Sequence, residues 1–209
     1  MIAIIDCGRN NVLSVRHALL RVGAQAEIVT TPDRVSAAAG VVLPGVGSFP
    51  AGMLALQRAG LVSVIREVVA RGTAVLGICL GMQMLFESSE ESGLGSCEDV
   101  RGLGAFPGRI RRLRGPGRVP HMGWNTVHTT GGRAFLESLD GTHMYFAHSY
   151  CLPLTGASHV AAVTDYRGPF VSVVQRANVM GTQFHPEKSG IQGLKLLRRF
   201  ADIAEGDCT

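Results

Sequence analysis

Residues 77–81 place a cysteine between two glycines, in the order Gly-Ile-Cys-Leu-Gly. The short run 73–76 before them is typical of a buried strand, and residues 82–87 are expected to form a helix. This pattern at a strand-to-helix corner is typical of a nucleophile elbow, because the glycines allow a cramped turn and the helix N-terminus favours a thiolate. Cys79 is therefore a candidate nucleophile, although the five residues alone fit a small buried cysteine equally well.

A histidine and a carboxylate lie two residues apart near the C-terminus, within residues 181–188. If this segment is a strand, His185 and Glu187 project from the same face, and Pro186 between them suits a strand end at the rim of a sheet. Cys79 would then attack, His185 would carry the proton, and Glu187 would hold the imidazole and stabilise its charged form. Elbow and His-x-Glu pair together predict a Cys-His-Glu triad, whereas either alone is weak evidence.

Residues 77–83 and 182–188 together resemble the two catalytic motifs of the class I, triad-type glutamine amidotransferases. Three more segments, at 44–49, 120–125 and 146–150, resemble those of the glutaminase subunits of imidazole glycerol phosphate synthases within that family. The resemblance covers nearly the whole chain, so residues 1–209 are expected to form a single domain of this family. It implies hydrolysis of L-glutamine through a Cys79 thioester, in a heterodimer that delivers ammonia to a (β/α)8-barrel cyclase of histidine biosynthesis.

The resemblance also implies roles for residues outside the triad. Leu80, directly after the nucleophile, offers one backbone N–H to the oxyanion, and the resemblance implies that the Val46 N–H turns inward as the second. The implied glutamine contacts are Gly47, Gln83, Glu91, Ser149 and Tyr150. The implied cyclase contacts are Asn11, Pro120, Met122, Trp124 and Lys188. The chain departs from the family at Cys7, where relatives usually have an aromatic residue, and at Asn10, where they usually have glycine.

Without the resemblance, the sequence around Glu91 and Trp124 also fits a role other than binding. Glu91 follows four polar or acidic residues and fits a solvated charge. Trp124, the only tryptophan, fits a buried core position as well as an interface anchor. Gln83 lies one helical turn after Cys79 and is placed to bind either end of the substrate's amino-acid group.

Composition limits the class of protein. A chain of 209 residues can build a large core without disulfides. Its five cysteines form no Cys-x-x-Cys pair, so neither a disulfide scaffold nor a structural zinc site is expected, and no cofactor or metal is predicted. The chain has no signal sequence and no apolar stretch that could span a bilayer, which predicts a cytoplasmic protein without a membrane partner.

The net charge of +4 is concentrated at residues 109–114 and Arg118. No aromatic residues alternate with these arginines and no nucleic-acid motif surrounds them, so no nucleic-acid partner is predicted. A solvated strand face, or a surface for an acidic partner, is the expected interpretation.

The first half of the chain alternates strands with helices, which predicts a parallel sheet with ligands bound at the carboxyl ends of its strands. Strands are expected at 2–5, 26–29, 41–43 and 74–76, and helices over 12–22 and 61–70. From about Val100, closely spaced short strands predict antiparallel pairing, at 109–113, 124–128, 144–147, 159–164, 170–175 and 179–183. A last helix over 191–204 directs five side chains inward: Ile191, Leu194, Leu197, Phe200 and Ile203. The expected fold is one α/β, flavodoxin-like domain with helices on both faces of a mostly parallel sheet and an added antiparallel β region in the second half.

Three other functions remain open. A cysteine peptidase or related hydrolase could use the same elbow, but such hydrolases commonly have histidine just after the nucleophile, where this chain has Leu80. An amidotransferase of another pathway is disfavoured by residues 120–125. A degenerate amidotransferase kept only for binding is disfavoured because all three triad residues are present. The sequence contains no barrel and no nucleotide-binding or phosphate-binding glycine motif, which predicts that the ammonia acceptor site lies on a separate subunit.

Overall fold

The computed structural model describes residues 1–6, 8, 11–92, 99–131, 134–136 and 139–206. Its strands are β1 (Ile2–Ile5), β2 (Ala26–Val29), β3 (Gly40–Gly45), β4 (Ala74–Cys79), β5 (Phe86–Ser89), β6 (Val100–Arg101), β7 (Phe106–Arg112), β8 (His121–Thr129), β9 (Thr142–His148), β10 (Tyr150–Pro153), β11 (Val160–Asp165), β12 (Pro169–Arg176) and β13 (Val179–Thr182). Its α-helices are α1 (Val12–Arg21), α2 (Pro32–Ser36), α3 (Phe49–Arg58), α4 (Leu61–Ala70), α5 (Leu80–Met84) and α6 (Gly190–Glu205). Short 3-10 turns cover Ala134–Leu136 and Pro186–Lys188.

Five parallel strands form the centre of the sheet, in the order β2-β1-β3-β4-β13. Beyond β13 the sheet continues through antiparallel pairing with β12 and β10, and β11, β8 and β9 branch from β12. This confirms the predicted α/β fold, with a parallel centre and an antiparallel region contributed by the second half of the chain.

The central strands are buried on both faces, which explains their uninterrupted apolar sequences. One core cluster combines Ile2, Ile4 and Val42 with side chains of α1 and α6. The other combines Ala3, Val41 and Leu43 with side chains of α2, α3 and α4. Helices therefore cover both faces of the parallel sheet, as predicted. Among the described residues, no helix is long and apolar enough to cross a membrane.

The registers of β3, β4 and β13 bring three strand ends to one edge of the sheet. Gly45 at the end of β3 lies opposite Cys79 at the end of β4. On the other side of β4, Thr182 at the end of β13 lies opposite Ile78. Loops that leave these three strands therefore begin side by side, at the edge where open α/β sheets bind ligands.

Several element boundaries differ from the sequence prediction. The helix after the elbow ends at Met84 and not at Glu87, because Phe86 begins β5 and pairs with Phe106 of β7, a long-range contact that local propensity does not reveal. Ile191 was predicted to face inward but is 66% exposed, whereas Leu197 and Phe200 of the same helix are buried. Helices α2 and α3 and strands β5, β6 and β10 were not predicted.

The close approach of α5 to β3 generates a stability prediction. A Cβ at Gly81 would lie 1.7 Å from the Leu43 carbonyl oxygen, so Gly81→Ala requires the backbone to move. We expect a loss of about 3 kcal/mol in the free energy of unfolding, measured by urea denaturation. Gly156→Ala is the matched control, since a Cβ there meets no atom within 4 Å. Equal stability of the two variants would contradict this packing.

Candidate active site

Cys79 lies on a strained corner between β4 and α5. Its φ of 53° and ψ of −110° are rare for a residue other than glycine, and such conformations are concentrated at functional sites. Glycines flank it because there is no room for side chains: a Cβ at Gly77 would lie 2.7 Å from the Met82 backbone nitrogen. The corner therefore has the geometry predicted for a nucleophile elbow.

His185 and Glu187 form a buried hydrogen-bonded pair, with 2.8 Å between His185 Nδ1 and Glu187 Oε1. The contact was predicted, but the strand geometry offered for it is wrong. β13 ends at Thr182, and residues 186–188 form a 3-10 turn. Pro186 is the first residue of that turn, where its missing N–H costs nothing. The turn, and not strand alternation, returns the carboxylate to the imidazole.

Neighbouring residues fix this pair in position. Ser189 Oγ donates to the His185 carbonyl at 2.6 Å and accepts from the Tyr145 N–H at 3.0 Å. Asn11 Nδ2 donates to Glu187 Oε1 at 3.0 Å, so one carboxylate oxygen receives two hydrogen bonds. Asn11 was predicted to contact a partner subunit, whereas in the isolated chain its side chain contacts Glu187.

The charge environment of His185 favours its protonated form. Burial opposes protonation, but the adjacent Cys79 sulfur and the Glu187 carboxylate outweigh it and raise the pKa of His185 to about 10. At neutral pH the imidazole therefore holds a proton that it can give to a leaving group.

A cavity of about 350 Å³ opens over the nucleophile. Two residues that were not predicted as site residues, Ala147 and His148, line it. The other lining residues were all predicted: Val46, Gly47, Cys79, Leu80, Gln83, Glu91, Pro120, Met122, Ser149, Tyr150, His185 and Lys188. Asn11, Glu187 and Trp124 do not line it. A larger cavity of about 690 Å³ lies across the 46–47 loop and does not include the triad.

Val46 and Leu80 both line the cavity, and each directly follows the end of a strand. The last residues of those strands, Gly45 of β3 and Cys79 of β4, are opposite each other. A Cβ at Gly45 would lie 2.8 Å from the Leu80 Cβ, so the two segments touch. Gly47 has a φ of 101°, which glycine adopts easily, and the Val46 side chain is 40% exposed. Few contacts of this loop would therefore prevent rotation of a peptide plane.

Gln83 and Gln183 connect the nucleophile to β10 through hydrogen bonds. Gln83 Nε2 donates to the Tyr150 carbonyl at 2.7 Å and to Gln183 Oε1 at 3.0 Å. Gln183 Nε2 in turn lies 3.7 Å from Cys79 Sγ. Gln83 was predicted to bind substrate, but here its amide nitrogen positions the backbone at Tyr150. Gln183 was not singled out from the sequence, although it lies two residues before His185.

Glu91 is half-buried, which contradicts its interpretation as a solvated charge. Its Oε2 accepts from the Phe49 N–H at the start of α3, at 2.7 Å. Burial raises the pKa of Glu91, and the hydrogen bond from Phe49 partly opposes that rise. Glu91 therefore presents a carboxyl group to the cavity from a fixed position.

Two buried neutral histidines support the wall of the cavity. His148 Nδ1 lies 2.9 Å from the Tyr150 carbonyl and therefore donates to it, which leaves His148 Nε2 to accept from His121 Nδ1 at 3.0 Å. Asn125 Nδ2 lies 3.3 Å from His121 Nε2 and donates a hydrogen bond to it. Burial lowers the pKa of His121 to about 4 and that of His148 to about 3. Protonation of either ring would place two N–H groups against each other.

The rim of the cavity exposes apolar side chains. Met122 is 66% exposed and Trp124 is 57% exposed, so Trp124 is not the core residue that the sequence also allowed. Trp124 packs edge-on against Tyr145, and Lys188 Nζ lies 5.9 Å from the centre of the same ring.

The structure does not describe several residues at which the chain departs from the family or carries a cysteine. Cys7, Arg9, Asn10, Cys97 and Cys208 lie outside the described residues. Within the described parts of the chain, no group of three or more His, Cys, Asp or Glu residues could hold a metal ion.

The neutral histidine pair predicts acid sensitivity. Because the pKa of His148 is lower in the folded chain than its ordinary 6.5, the unfolded chain binds the extra proton first as pH falls below 6.5. Stability should therefore fall between pH 6.5 and about 3, by up to about 1.4 kcal/mol per pH unit for this group. His148→Gln should have a shallower pH dependence of unfolding, measured by urea denaturation, with exposed His17→Gln as the control. An unchanged slope in His148→Gln would contradict the assignment.

Comparisons with known proteins agree with this geometry. A family model described as "Glutamine amidotransferase class-I" matches residues 3–203. The chain is 46% identical over 203 residues to the imidazole glycerol phosphate synthase subunit HisH of Moorella thermoacetica, covering 97% of this chain and 94% of that one. It is 43% identical over 210 residues to the HisH subunit of Desulfitobacterium hafniense, covering 100% and 97%.

Solved structures share the fold at low sequence identity. A glutamine amidotransferase crystal structure superposes with a TM-score of 0.75 at 20% identity, covering 98% of this chain and 100% of that chain. The structure titled PurLQS from Thermotoga maritima superposes with a TM-score of 0.71 at 18% identity, covering 97% of each. Together with the family match and the HisH relatives, these likenesses show that the chain is an enzyme of the class I glutamine amidotransferase family.

Proposed function

We propose that this chain is the glutaminase subunit of an imidazole glycerol phosphate synthase, with one domain spanning residues 1–209. The observation that carries the proposal is that Cys79 and His185 line one cavity, close to the ends of the neighbouring strands β4 and β13, and that His185 is hydrogen-bonded to the buried Glu187. The HisH relatives, at 43–46% identity over nearly the whole chain, support this pathway over another amidotransferase. A peptidase on the same elbow has no comparable support.

In the proposed reaction, Cys79 Sγ attacks the side-chain carboxamide carbon of L-glutamine. The S–C bond forms and the C–N bond breaks, while His185 donates its proton to the leaving nitrogen and ammonia departs. Water, deprotonated by His185, then hydrolyses the γ-glutamyl thioester to glutamate and restores the thiolate. Glu187 holds the imidazole in the orientation that both steps need.

The N–H groups of Val46 and Leu80 stabilise the oxyanion in this proposal. The assignment is supported because Val46 and Leu80 line the same cavity and directly follow the paired residues Gly45 and Cys79. The loss of one such donor typically costs about 10²–10³ in rate. Glu91 binds the α-ammonium group of glutamine. The remaining substrate contacts come from Gly47, Gln83 and the backbone of Ser149 and Tyr150, which line the same cavity.

The proposed partner is a (β/α)8-barrel cyclase that uses the ammonia to make imidazole glycerol phosphate and AICAR, forming a heterodimer with this chain in the cytoplasm. Exposed Met122 and Trp124 are costly to leave in water, and Pro120, Met122 and Lys188 line the mouth of the cavity. A partner seated on this rim covers the apolar groups and receives ammonia directly. Asn11, also proposed to contact the cyclase, hydrogen-bonds Glu187.

Partner binding is also proposed to activate the enzyme. The loop at residues 44–47 switches to the state in which the Val46 N–H faces the oxyanion, and the complex of cyclase and phosphorylated ligand binds that state more tightly. Glutaminase activity in isolation is therefore weak and rises when the partner and its ligand are added.

The first functional prediction concerns the nucleophile. Cys79→Ala should abolish glutamine hydrolysis, because no other group in the cavity can form the thioester, while the reconstituted complex should still use added ammonium. Glutamate release and cyclase product are measured in parallel. Cys151→Ala is the control, since that buried thiol lies outside the catalytic cavity. Full glutamine-dependent activity in Cys79→Ala would refute the mechanism.

The second functional prediction concerns the interface. Trp124→Ala should weaken cyclase binding by about 2 kcal/mol or more if the exposed ring becomes a buried anchor, as measured by titration calorimetry. Leu154→Ala is a matched control, because Leu154 is also exposed but lies outside the rim of this cavity. Equal affinities of the wild type and Trp124→Ala would remove Trp124 from the interface.

A further inference from the structure

Four arginines line a separate cavity of about 260 Å³: Arg111, Arg112, Arg114 and Arg167. None of the described residues that line it is Asp or Glu. The carboxylate of Glu90 lies nearby, with its Oε2 3.6 Å from Arg114 Nη2 and its Oε1 accepting from the Arg112 N–H. About three positive charges therefore remain without a carboxylate partner among the described residues, at the basic segment that the proposed function does not use.

Arg167 is closely packed at this cavity. Its φ of 62° is unusual for a residue with a side chain. A Cβ at Gly115 would lie 2.4 Å from the Arg167 carbonyl oxygen, and a Cβ at Gly117 would lie 3.5 Å from Arg167 Cγ, so the loop after β7 packs against both its backbone and its side chain. Arg167 Nε is buried and has no hydrogen-bond partner among the described residues. A strained backbone and an unsatisfied buried donor of a charged group are both expected where a ligand completes the structure.

We propose that this cavity binds a small, multiply charged oxyanion of the phosphate or pyrophosphate class. The guanidinium group presents paired N–H donors that match the oxygens of a phosphoryl group. About three unmatched positive charges favour a dianion or trianion over a monocarboxylate. The volume is below the roughly 300–1,000 Å³ of pockets for drug-sized ligands, which fits one or two phosphoryl groups.

Binding at this site is non-covalent. Cys151 is the only thiol among the described residues that line it. Burial, with a further contribution from Glu90, raises the pKa of the Cys151 thiol to about 12. The sulfur therefore stays protonated at neutral pH and is not a nucleophile.

The anion site lies directly behind the substrate cavity. Tyr150 lines the catalytic cavity and the next residue of β10, Cys151, lines the arginine cavity, as expected for successive residues of a strand. Tyr166 lines the arginine cavity and stacks on His121, with ring centres 3.9 Å apart, and His121 contacts His148 of the catalytic cavity. A bound anion would thus lie against β10, the strand that contains Tyr150. It would also lie against Tyr166, which stacks on the histidine pair that hydrogen-bonds the Tyr150 carbonyl.

Calorimetric titration of the full chain with sodium pyrophosphate and with inorganic phosphate, without glutamine, tests the proposal separately from the proposed function. We expect saturable 1:1 binding, tighter for pyrophosphate. Arg167→Gln and Arg111→Gln should each weaken it about tenfold or more. Arg21→Gln, which removes the same charge from the exposed end of α1, should leave binding unchanged.

Two results would overturn the site. One is the absence of saturable binding to the wild type, and the other is equal weakening by Arg21→Gln, which would show only a non-specific effect of net charge. Arg111→Gln keeps the test valid if Arg167→Gln does not fold, because Arg111 occupies an exposed position opposite Cys151 in a regular strand pair.

Discussion

The site depends on how closely α5 packs against the end of β3. Backbone and backbone meet there without intervening side chains, since a Cβ at Gly81 would lie 1.7 Å from the Leu43 carbonyl oxygen. That approach is possible only if the chain turns sharply at Cys79, which accordingly adopts a φ of 53°. A conformation of this kind costs about 1–3 kcal/mol, which burial of the surrounding strands on both faces offsets. The turn places Cys79 at the edge of the sheet, with Leu80 packed against Gly45.

A second constraint is the burial of the Glu187 carboxylate. Its side chain is completely shielded from solvent, and a buried charge is tolerated only when it is paired and hydrogen-bonded. His185 and Asn11 both bind its Oε1, and Ser189 and Tyr145 hold the backbone at His185. The wall of the cavity is built in the same way, because neutral His121 and His148 and the amide of Gln83 all support the carbonyl of Tyr150. Hydrogen bonds among buried residues therefore fix both the His185–Glu187 pair and the wall of the cavity over Cys79.

Local sequence predicted the features that depend on local chemistry. The glycines around Cys79 indicated the elbow, and the apolar runs of β1 and β4 indicated a parallel sheet. Features that depend on contacts between distant parts of the chain could not be predicted from local sequence. The end of α5 is set by the pairing of Phe86 with Phe106, and Glu187 reaches His185 through a turn that two-residue spacing could not distinguish from a strand. Glu91 fitted a solvated charge, because its partner, the Phe49 N–H, is distant in sequence.

We propose that Cys79, His185 and Glu187, close to the ends of β4 and β13, act as a nucleophilic triad. The most direct test of this proposal is acid quenching during turnover of isotopically labelled glutamine, in complex with the partner, followed by peptide mapping with mass spectrometry. The account predicts a labelled glutamyl group on Cys79, and no such adduct in His185→Ala. Continued turnover with no adduct on Cys79, or an adduct on a different cysteine, would contradict it.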